Sequence, residues 1–380
     1  MINLIYAVHS ISVKGSGVSF AVRDLYNTIS RSDSFSSEIV TTEKDEKVFF
    51  QNDSKVHTFP SYGYWWYSPK FFNFLKNKEY PANSLMHIHG IWLYPQYTAA
   101  KIALKKKVPY IITTHGMLSP WHLKRKWWKL RPYLKLIEEK NLKNASCIHA
   151  LNQYEKDYIK QLIPSLKRIE VIPNGIDPKN LSESPDIAGL LEKYPQVKNR
   201  PFILFLGRLH PVKGIQEIVE AWIQITEKEK EHILLIVGHD QLGLQSALMK
   251  KIKQKKIENR VVFTGFLSGK MKLAVYHLAR IFVSPSKTEG IALTSLEAAW
   301  MKIPILTTKE AGLTDIENYG AGKFTLPTVE SIAENLYKMM KIPDDELKQM
   351  GEQGRKMVEE KYTLEKTITQ MKELYRSILN

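Results

Sequence analysis

Two glutamates in the second half of the chain have a spacing that could serve ligand binding. Glu289 and Glu297 are eight residues apart, and the segment from Ile291 to Trp300 has the composition of a helix. Eight residues correspond to about two helical turns, so we expect both carboxylates on one side of that helix, each accepting hydrogen bonds from hydroxyl groups. The alternative is a first glutamate favoured by the helix dipole and a second in a surface ion pair.

Two cations precede this pair along the chain. Arg208 and Lys213 follow the apolar segment Phe202 to Leu206, and Gly207 and Gly214 lie beside them. A strand, a glycine, two cations and a helix N-terminus form a phosphate cradle, because backbone N–H groups and the helix dipole add to the side-chain charges. Two cations suit a diphosphate. The alternative is a pair of solvated loop charges in a basic chain.

Short apolar runs alternate with helical patterns along the whole sequence, which predicts parallel sheets covered by helices. The pattern breaks after Ile172 in a polar stretch that contains several turn residues, and it restarts at Phe202. We therefore predict two doubly wound, Rossmann-like α/β domains, residues 1–175 and 176–363, with the ligand in the cleft between them. A helix at 364–380 follows, which could pack back on the first domain.

Composition limits the class of protein. The chain has 380 residues, of which 43% are hydrophobic and 25% charged, with a net charge of +16. This describes a globular protein that attracts anionic partners. Cys147 is the single cysteine, which fits a reducing compartment. With no signal-peptide pattern at Met1 and no membrane-length apolar run, we expect a cytoplasmic protein, soluble or peripheral to the inner face of the membrane.

The motifs of the second half together resemble retaining glycosyltransferase family 4, whose hallmark is Glu-x7-Glu. They are Gly207-Arg208, Lys213-Gly214, Gly265, Pro285-Ser286, Glu289-Gly290, Leu296-Glu297-Ala298 and Pro304. In the first half, residues 92–95 and 114–121 resemble a subgroup of that family that acts in bacterial surface-polysaccharide assembly. The resemblance covers most of the chain and implies the GT-B fold.

The resemblance also implies roles for single residues. Arg208 and Lys213 would bind the donor diphosphate, Glu297 would hold the ribose, and His115 would lie beside the transferred sugar. The donor sugar would contact Glu289 and the backbone that follows it, and the remaining donor-binding positions are Gly17, Gly207, Gly290, Ile291 and Ala292. The expected reaction moves a hexose-type sugar from a nucleotide diphosphate, UDP in preference to GDP, to a glycan or lipid-linked glycan.

Two positions depart from the family pattern, and a third is a residue type that is often structural. Ser16 stands where the family's first loop commonly has a second glycine next to Gly17, and Lys302 replaces a glycine that ends the helix before Ile303. The Lys302 change is expected to cost up to ~1 kcal/mol. A single histidine such as His115 is often structural, but its place directly after a strand favours a functional role.

Retaining transfer explains why these residue types are needed. The anomeric C–O bond breaks toward an oxocarbenium-like state while negative charge develops on the diphosphate, so fixed cations stabilise the transition state. The chain has no Asp-x-Asp cluster, and we expect neither a metal nor another cofactor. Glu289 is the candidate for a carboxylate nucleophile, but the family resemblance favours same-face attack with the departing phosphate as base.

Two stretches of the first half point to the acceptor. Eight aromatic residues lie between Tyr62 and Phe74, and residues 101–143 contain twelve Lys or Arg against two Glu, a net +10. Trp127, Leu130, Leu134 and Ile137 recur at helical spacing among these cations. Aromatics flanked by cations suit an anionic membrane and a polyprenyl-diphosphate-linked acceptor. The alternative is an ordinary amphipathic helix on the core.

Two rival functions are compatible with the sequence. A nucleotide-sugar epimerase or phosphorylase could share the two-domain architecture. A nucleic-acid-binding protein would account for the basic charge and the aromatic residues. It would leave Glu289 and Glu297 unexplained, since carboxylates in a central cleft repel nucleic acid, and we expect no nucleic-acid partner.

Overall fold

The computed structural model describes residues 1–12, 17–44, 47–125 and 127–380. The chain forms two compact units: unit 1 comprises Met1–Asn174 with Leu364–Asn380, and unit 2 comprises Gly175–Thr363. Each unit contains one sheet, and the paired strands of both sheets are parallel. The prediction of two doubly wound α/β domains is confirmed.

Unit 1 has a seven-stranded sheet in the order β3-β2-β1-β4-β5-β6-β7. Its elements up to residue 171 are β1 (Ile2–Val8), α1 (Gly17–Ile29), β2 (Phe35–Glu43), β3 (Val56–Pro60), α2 (Pro69–Asn77), β4 (Ser84–His89), α3 (Tyr94–Lys106), β5 (Tyr110–Thr113), α4 (Pro120–Arg125), α5 (Trp127–Tyr133), a π-helical turn (Leu134–Glu138), α6 (Glu139–Asn144), β6 (Cys147–Ala150), α7 (Gln153–Leu162) and β7 (Ile169–Val171).

Unit 2 has a six-stranded sheet in the order β10-β9-β8-β11-β12-β13. Its helices and strands are α8 (Ile187–Lys193), β8 (Phe202–Leu206), α9 (Ile215–Lys228), β9 (Ile233–Val237), α10 (Leu244–Gln254), β10 (Val261–Gly265), α11 (Gly269–Leu278), β11 (Ala279–Ser284), α12 (Leu293–Trp300), β12 (Ile305–Thr307), β13 (Gly322–Phe324), α13 (Val329–Met340) and α14 (Asp344–Lys361). The last helix of the chain, α15 (Leu364–Leu379), belongs to unit 1.

Each sheet is buried on both faces, as the continuous apolar strands require. In β8, Phe202 and Leu204 pack into one apolar cluster, and Ile203 and Phe205 pack into another. Successive side chains of a strand point to opposite faces, so these two clusters are the cores above and below the sheet. Unit 1 has the same arrangement, because successive residues of β1 pack into two different apolar clusters, one on each face of the sheet.

The structure differs from the sequence-based expectation at several elements. The residues at helical spacing from Trp127 to Ile137 do not form one regular helix but lie in α5 and the π-helical turn, and Pro132 within α5 cannot donate a backbone hydrogen bond. The sequence pattern does not predict the strands β2, β3, β6 and β13. Lys302, which follows α12, has φ +62, the left-handed conformation expected where the family has glycine.

A line of buried hydrogen bonds crosses the middle of unit 1. His87 contacts the Tyr375 hydroxyl through Nδ1 (2.7 Å) and the Thr113 hydroxyl through Nε2 (2.6 Å). Thr113 also contacts Nδ1 of His149 (2.7 Å), whose Nε2 lies 2.7 Å from the Ile172 carbonyl. A carbonyl oxygen only accepts hydrogen bonds. When both imidazoles are neutral, Tyr375 therefore donates to His87, His87 to Thr113, Thr113 to His149, and His149 to the Ile172 carbonyl. The line connects α15 to β4, β5 and β6.

Burial keeps five histidines of unit 1 neutral. It lowers the pKa of His9 to about 4, of His115 to about 3 and of His149 to about 4. For His87 and His89, burial and then the neighbouring histidines hold the pKa well below its usual range. The folded unit therefore has an uncharged polar cluster at neutral pH.

We expect unit 1 to lose stability as the pH falls from 7.5 to 5. The unfolded chain binds protons on these histidines below a pKa of 6.5, whereas the folded cluster stays neutral, so acid favours unfolding. His149 alone, with its pKa lowered to about 4, should contribute on the order of 2 kcal/mol over that interval. Urea denaturation at both pH values measures the effect, and equal unfolding free energies would contradict it.

Candidate functional site

The predicted phosphate cradle lies where β8 and β11 run side by side. The loop after β8 and the loop after β11 are held together by a hydrogen bond from the Lys287 N–H to the Val212 carbonyl (2.8 Å). Gly214 has φ +72, and an added Cβ would lie 2.3 Å from the Pro285 carbonyl oxygen. Glycine is therefore required for the close approach of the two loops. This edge is the point at which the strand order of unit 2 reverses, where α/β sheets bind ligands.

The two loops bring together Lys213 and Glu289. Lys213 Nζ lies 2.6 Å from Glu289 Oε2, and both side chains are less than one-fifth exposed. The other carboxylate oxygen of Glu289 accepts a hydrogen bond from the Ser286 hydroxyl. The Glu289 backbone N–H donates to the Glu310 carbonyl (2.7 Å). The ammonium and the carboxylate are therefore fixed in position by the fold.

Arg208 occupies the same loop as Lys213 but has a different environment. Its side chain is exposed, and Nη1 donates to Gln241 Oε1 (3.1 Å). Gly207, which lies between β8 and Arg208, packs against the aliphatic part of the Lys213 side chain. An added Cβ at Gly207 would lie 4.0 Å from Cδ of Lys213. The loop carries one fixed and one solvent-exposed cation.

Glu297 lies on α12 and is held by α11. Its carboxylate accepts hydrogen bonds from Lys272 Nζ (2.8 Å) and from the Tyr276 hydroxyl (2.7 Å). Burial, followed by the adjacent Glu297 charge, raises the pKa of Tyr276 well above 10, so this hydroxyl stays protonated and donates. The alternative interpretation of Glu297 is a solvated surface ion pair. Its ion pair with Lys272 is partly buried.

The expected start of the helix at Ile291 is wrong, because α12 begins at Leu293. Glu289 lies in the preceding loop, so the two-turn spacing does not describe the pair, and only Glu297 is helical. Between them, Gly290 and Ile291 lead to Ala292 at the helix N-cap, where the Ala292 N–H donates to the Ala311 carbonyl (3.1 Å). Alanine has no side-chain acceptor for the N–H groups of the first turn, which are therefore capable of binding an anion or a hydroxyl.

Sequence reasoning did not identify the partners that fix these side chains. Lys272 and Tyr276 are separated by four residues on α11, so they share one face of that helix, but nothing in the sequence links that face to Glu297. Gln241, the partner of Arg208, follows β9, which pairs with β8 in the same sheet. Its place after a predicted strand is the feature of the sequence that could have identified it.

In unit 1, His115 lies directly after β5 in an unusual conformation. Its φ is +50 and that of Gly116 is +75. Its Nε2 lies 3.1 Å from Nδ1 of His89. Since burial keeps His115 uncharged, the ring can donate or accept a hydrogen bond but does not act as a cation at neutral pH.

The first glycine loop is only partly described. Gly17 is exposed at the start of α1, and an added Cβ there would meet nothing within 4 Å. Residues 13–16, including Ser16, lie outside the described residues. The expected donor contact of Gly17 stays a prediction.

Aromatic and basic side chains cover another part of unit 1. An aromatic turn, residues 62–67, is closed by backbone hydrogen bonds between Tyr62 and Tyr67, and Tyr64 at its tip is fully exposed. Trp65 donates to the Tyr133 hydroxyl (3.1 Å) and so connects the turn to α5. Phe71 is buried, which places the end of the predicted aromatic cluster in the core.

The helices α4 and α5 border an open groove of about 520 Å³. Trp127 and Trp128 are largely exposed on α5, whereas Leu134 is buried and anchors the following turn. Lys124 and Arg131 contribute charge, and the groove is lined by Leu118, Pro120, Leu123, Lys124, Trp127, Arg131, Tyr158, Gln161 and Leu162. Lys126 of the predicted basic stretch lies outside the described residues.

Within the described ranges, one group of potential metal ligands is close enough together, namely Glu229, Glu231 and His232. Glu229 accepts hydrogen bonds from Arg260 (2.8 Å) and His232 (3.0 Å), and the group precedes β9 at the opposite end of that strand from the candidate site. It is a structural ion-pair cluster. Among the described helices, none is both long and apolar enough to cross a membrane.

Two family models match the chain in succession. Residues 15–180 match Glycosyltransferase Family 4, and residues 188–357 match Glycosyl transferases group 1. The chain is 25% identical over 270 residues to 2-deoxystreptamine N-acetyl-D-glucosaminyltransferase of Niallia circulans, covering 70% of this chain and 68% of the relative. It is 28% identical over 195 residues to the capsular polysaccharide biosynthesis glycosyltransferase CapM of Staphylococcus aureus, half of each chain.

Solved structures share the whole fold. Sucrose-phosphate synthase from Thermosynechococcus elongatus has a TM-score of 0.78 at 19% identity, covering 100% of this chain and 99% of that one. Anabaena HepE, solved with UDP and glucose, has a TM-score of 0.77 at 18% identity, covering 99% and 100%. These structures confirm the GT-B fold. The two family models, which together match residues 15–180 and 188–357, show that the chain is a glycosyltransferase of family 4.

Proposed function

We propose that this glycosyltransferase moves a hexose-type sugar from a nucleotide diphosphate, UDP in preference to GDP, to a glycan or lipid-linked glycan in surface-polysaccharide assembly. The observation that carries the proposal is the Lys213–Glu289 contact of 2.6 Å at the reversal point of the unit 2 sheet. The likeness to CapM supports the pathway class. The UDP and glucose bound by HepE support the donor class.

The donor would use the groups that the fold has already fixed. An ammonium has three donors, and Glu289 takes one of those of Lys213, which leaves two for phosphate oxygens. Arg208, exposed on the same loop, would supply the second charge. Glu297 would accept from the ribose hydroxyls, while Lys272 and Tyr276 keep its carboxylate in place.

Glu289 would contact the donor sugar together with the backbone of Gly290, Ile291 and Ala292. Its two carboxylate oxygens already accept from Lys213 and Ser286. A carboxylate stabilised by these two donors is a weaker nucleophile than a free one, which favours a binding role over covalent catalysis.

We propose a retaining, metal-independent reaction. The anomeric C–O bond breaks and its electron pair leaves with the diphosphate, where Lys213 and Arg208 stabilise the growing negative charge. The acceptor oxygen attacks from the same face, and its proton passes to the departing phosphate oxygen. Neutral His115 would hydrogen-bond the transferred sugar without carrying a proton through the reaction.

The acceptor would be presented at an anionic membrane surface, at the cytoplasmic leaflet. Trp127 and Trp128 are exposed beside the cations Lys124, Lys129 and Arg131, an arrangement that suits the boundary between lipid headgroups and acyl chains. The apolar lining of the adjacent groove suits the first isoprene units of a polyprenyl diphosphate. The resemblance of residues 92–95 and 114–121 to the surface-polysaccharide subgroup supports this acceptor.

The rival functions receive less support. An epimerase or phosphorylase and a nucleic-acid-binding protein both disagree with a family match over residues 15–180 and 188–357.

Thermal-shift screening of UDP-, GDP- and dTDP-sugars identifies the donor, because a ligand that binds the folded state raises the melting temperature.

We expect Glu297→Gln to weaken the binding of UDP and of the UDP-sugar about tenfold each, because the ribose loses a charged acceptor. Glu289→Gln should weaken the UDP-sugar more than UDP, since UDP lacks the transferred hexose that Glu289 is proposed to contact. Glu220→Gln, which breaks an exposed ion pair with Lys251 on unit 2, is the control. Calorimetric titration measures all three variants, and unchanged affinity in Glu297→Gln would refute the ribose assignment.

The stereochemistry of the product tests the reaction type. With an α-linked donor, NMR of the isolated product should show an α-linkage, and the initial rate should be unchanged in excess EDTA. A β-linked product would contradict retention. Loss of activity in EDTA that Mg²⁺ or Mn²⁺ restores would contradict metal independence.

Charge reversal tests the membrane surface. We expect replacement of Lys124, Lys129 and Lys135 by Glu to lower partitioning to vesicles with anionic lipid at least tenfold, because each basic residue near such a surface contributes about 1 kcal/mol. Replacement of Lys250, Lys253 and Lys255 on unit 2 makes the same change in net charge and should have a smaller effect. Equal partitioning of the two triple variants would contradict the proposed docking surface.

A further inference from the structure

The turn that carries His115 is strained and needs support. His115 and Gly116 have consecutive positive φ values, +50 and +75. Glycine adopts this region freely, but a residue with a Cβ does so at a cost of roughly 1–3 kcal/mol. Such a conformation persists only where neighbouring groups hold it, and these groups determine where the imidazole lies.

Glu155 supplies this support from α7. Its side chain is completely buried. One carboxylate oxygen accepts from the Thr114 hydroxyl (2.5 Å) and from the Gly116 N–H (2.6 Å), the residues on either side of His115. The other oxygen accepts from the Leu151 N–H (2.8 Å). The carboxylate therefore brackets His115 and ties its turn to the end of β6.

A helix-capping role does not explain this geometry. Glu155 is the third residue of α7, and its own N–H donates to the side chain of the N-cap residue Asn152 (2.7 Å). A capping box joins the glutamate side chain to the N-cap residue of its own helix. The side chain of Glu155 also reaches residues 39 and 41 positions earlier in the chain, which capping does not require.

The buried carboxyl is also a costly group for a purely structural contact. Burial raises the pKa of Glu155, and the hydrogen bonds from Thr114, Leu151 and Gly116 act in the opposite direction. An amide side chain would fill the same volume without this desolvation cost. A carboxylate differs from an amide in that both oxygens accept, and three donors converge on Glu155.

We propose that Glu155 is a positioning residue for the transfer reaction, holding the Thr114–Gly116 turn so that His115 presents its imidazole to the transferred sugar. This inference rests on the role of His115 in the proposed function. Glu155 acts through the turn and does not touch the substrate.

The test is a double-mutant cycle between Glu155→Gln and His115→Ala. The glutamine keeps the size of the side chain but places an NH2 group against at least one of the three donors. We expect Glu155→Gln to lower kcat at least tenfold with the donor KM within about twofold, because the proposed contacts to the diphosphate and the ribose belong to unit 2. In the His115→Ala background, Glu155→Gln should lower kcat by no more than about twofold.

Glu229→Gln is the matched control. Glu229 is also a buried glutamate, but it lies in unit 2 and pairs with Arg260 and His232. It should lower the melting temperature while kcat per folded molecule stays within about twofold. Hydrogen exchange of the Gly116 N–H should increase in Glu155→Gln and stay unchanged in Glu229→Gln.

Each outcome bears on a separate claim. An active wild type whose kcat is unchanged in Glu155→Gln would overturn the positioning role, and so would independent, multiplicative losses in the double variant. A wild type that binds nucleotide-sugars but transfers none to any acceptor would overturn the proposed function instead. In that case, faster Gly116 exchange in Glu155→Gln would still support the structural part of the inference.

Discussion

The candidate site depends on one topological constraint, the adjacency of β8 and β11 at the reversal of strand order in unit 2. Because both strands are parallel, their following loops leave the sheet at the same edge, and Gly214 lets these loops approach closely. Lys213 and Glu289, 76 positions apart in sequence, thereby come within 2.6 Å. A cation held by a carboxylate at this edge keeps its charge in place for a phosphate without a conformational search.

Unit 1 positions its polar groups by a different means. A line of neutral donors and acceptors crosses its core, from the Tyr375 hydroxyl on α15 through His87 and Thr113 to His149. Burial keeps these imidazoles uncharged, so they add hydrogen-bonding capacity without adding positive charge. The charges of the proposed chemistry are thus concentrated on unit 2, where the diphosphate is expected to bind.

The sequence predicted the fold class and the cationic loop because both follow from local patterns. Apolar runs marked most strands, and a glycine after a strand marked Lys213 and Arg208. It could not predict contacts that depend on packing between helices, such as those of Lys272 with Glu297. It also placed the start of the helix after Glu289 at Ile291 instead of Leu293, because nothing local signals that the chain stays non-helical to Ala292. Glu155 was missed because its partners Thr114 and Gly116 follow β5, 41 and 39 positions earlier in the chain.

The most direct test of the central claim is a crystal structure of the protein with UDP bound. We expect the diphosphate within hydrogen-bond distance of Lys213 and the ribose hydroxyls in contact with the Glu297 carboxylate. Lys272 and Tyr276 should keep their hydrogen bonds to Glu297 in the complex. A nucleotide bound with its diphosphate away from Lys213 and its ribose away from Glu297 would contradict the proposed donor site.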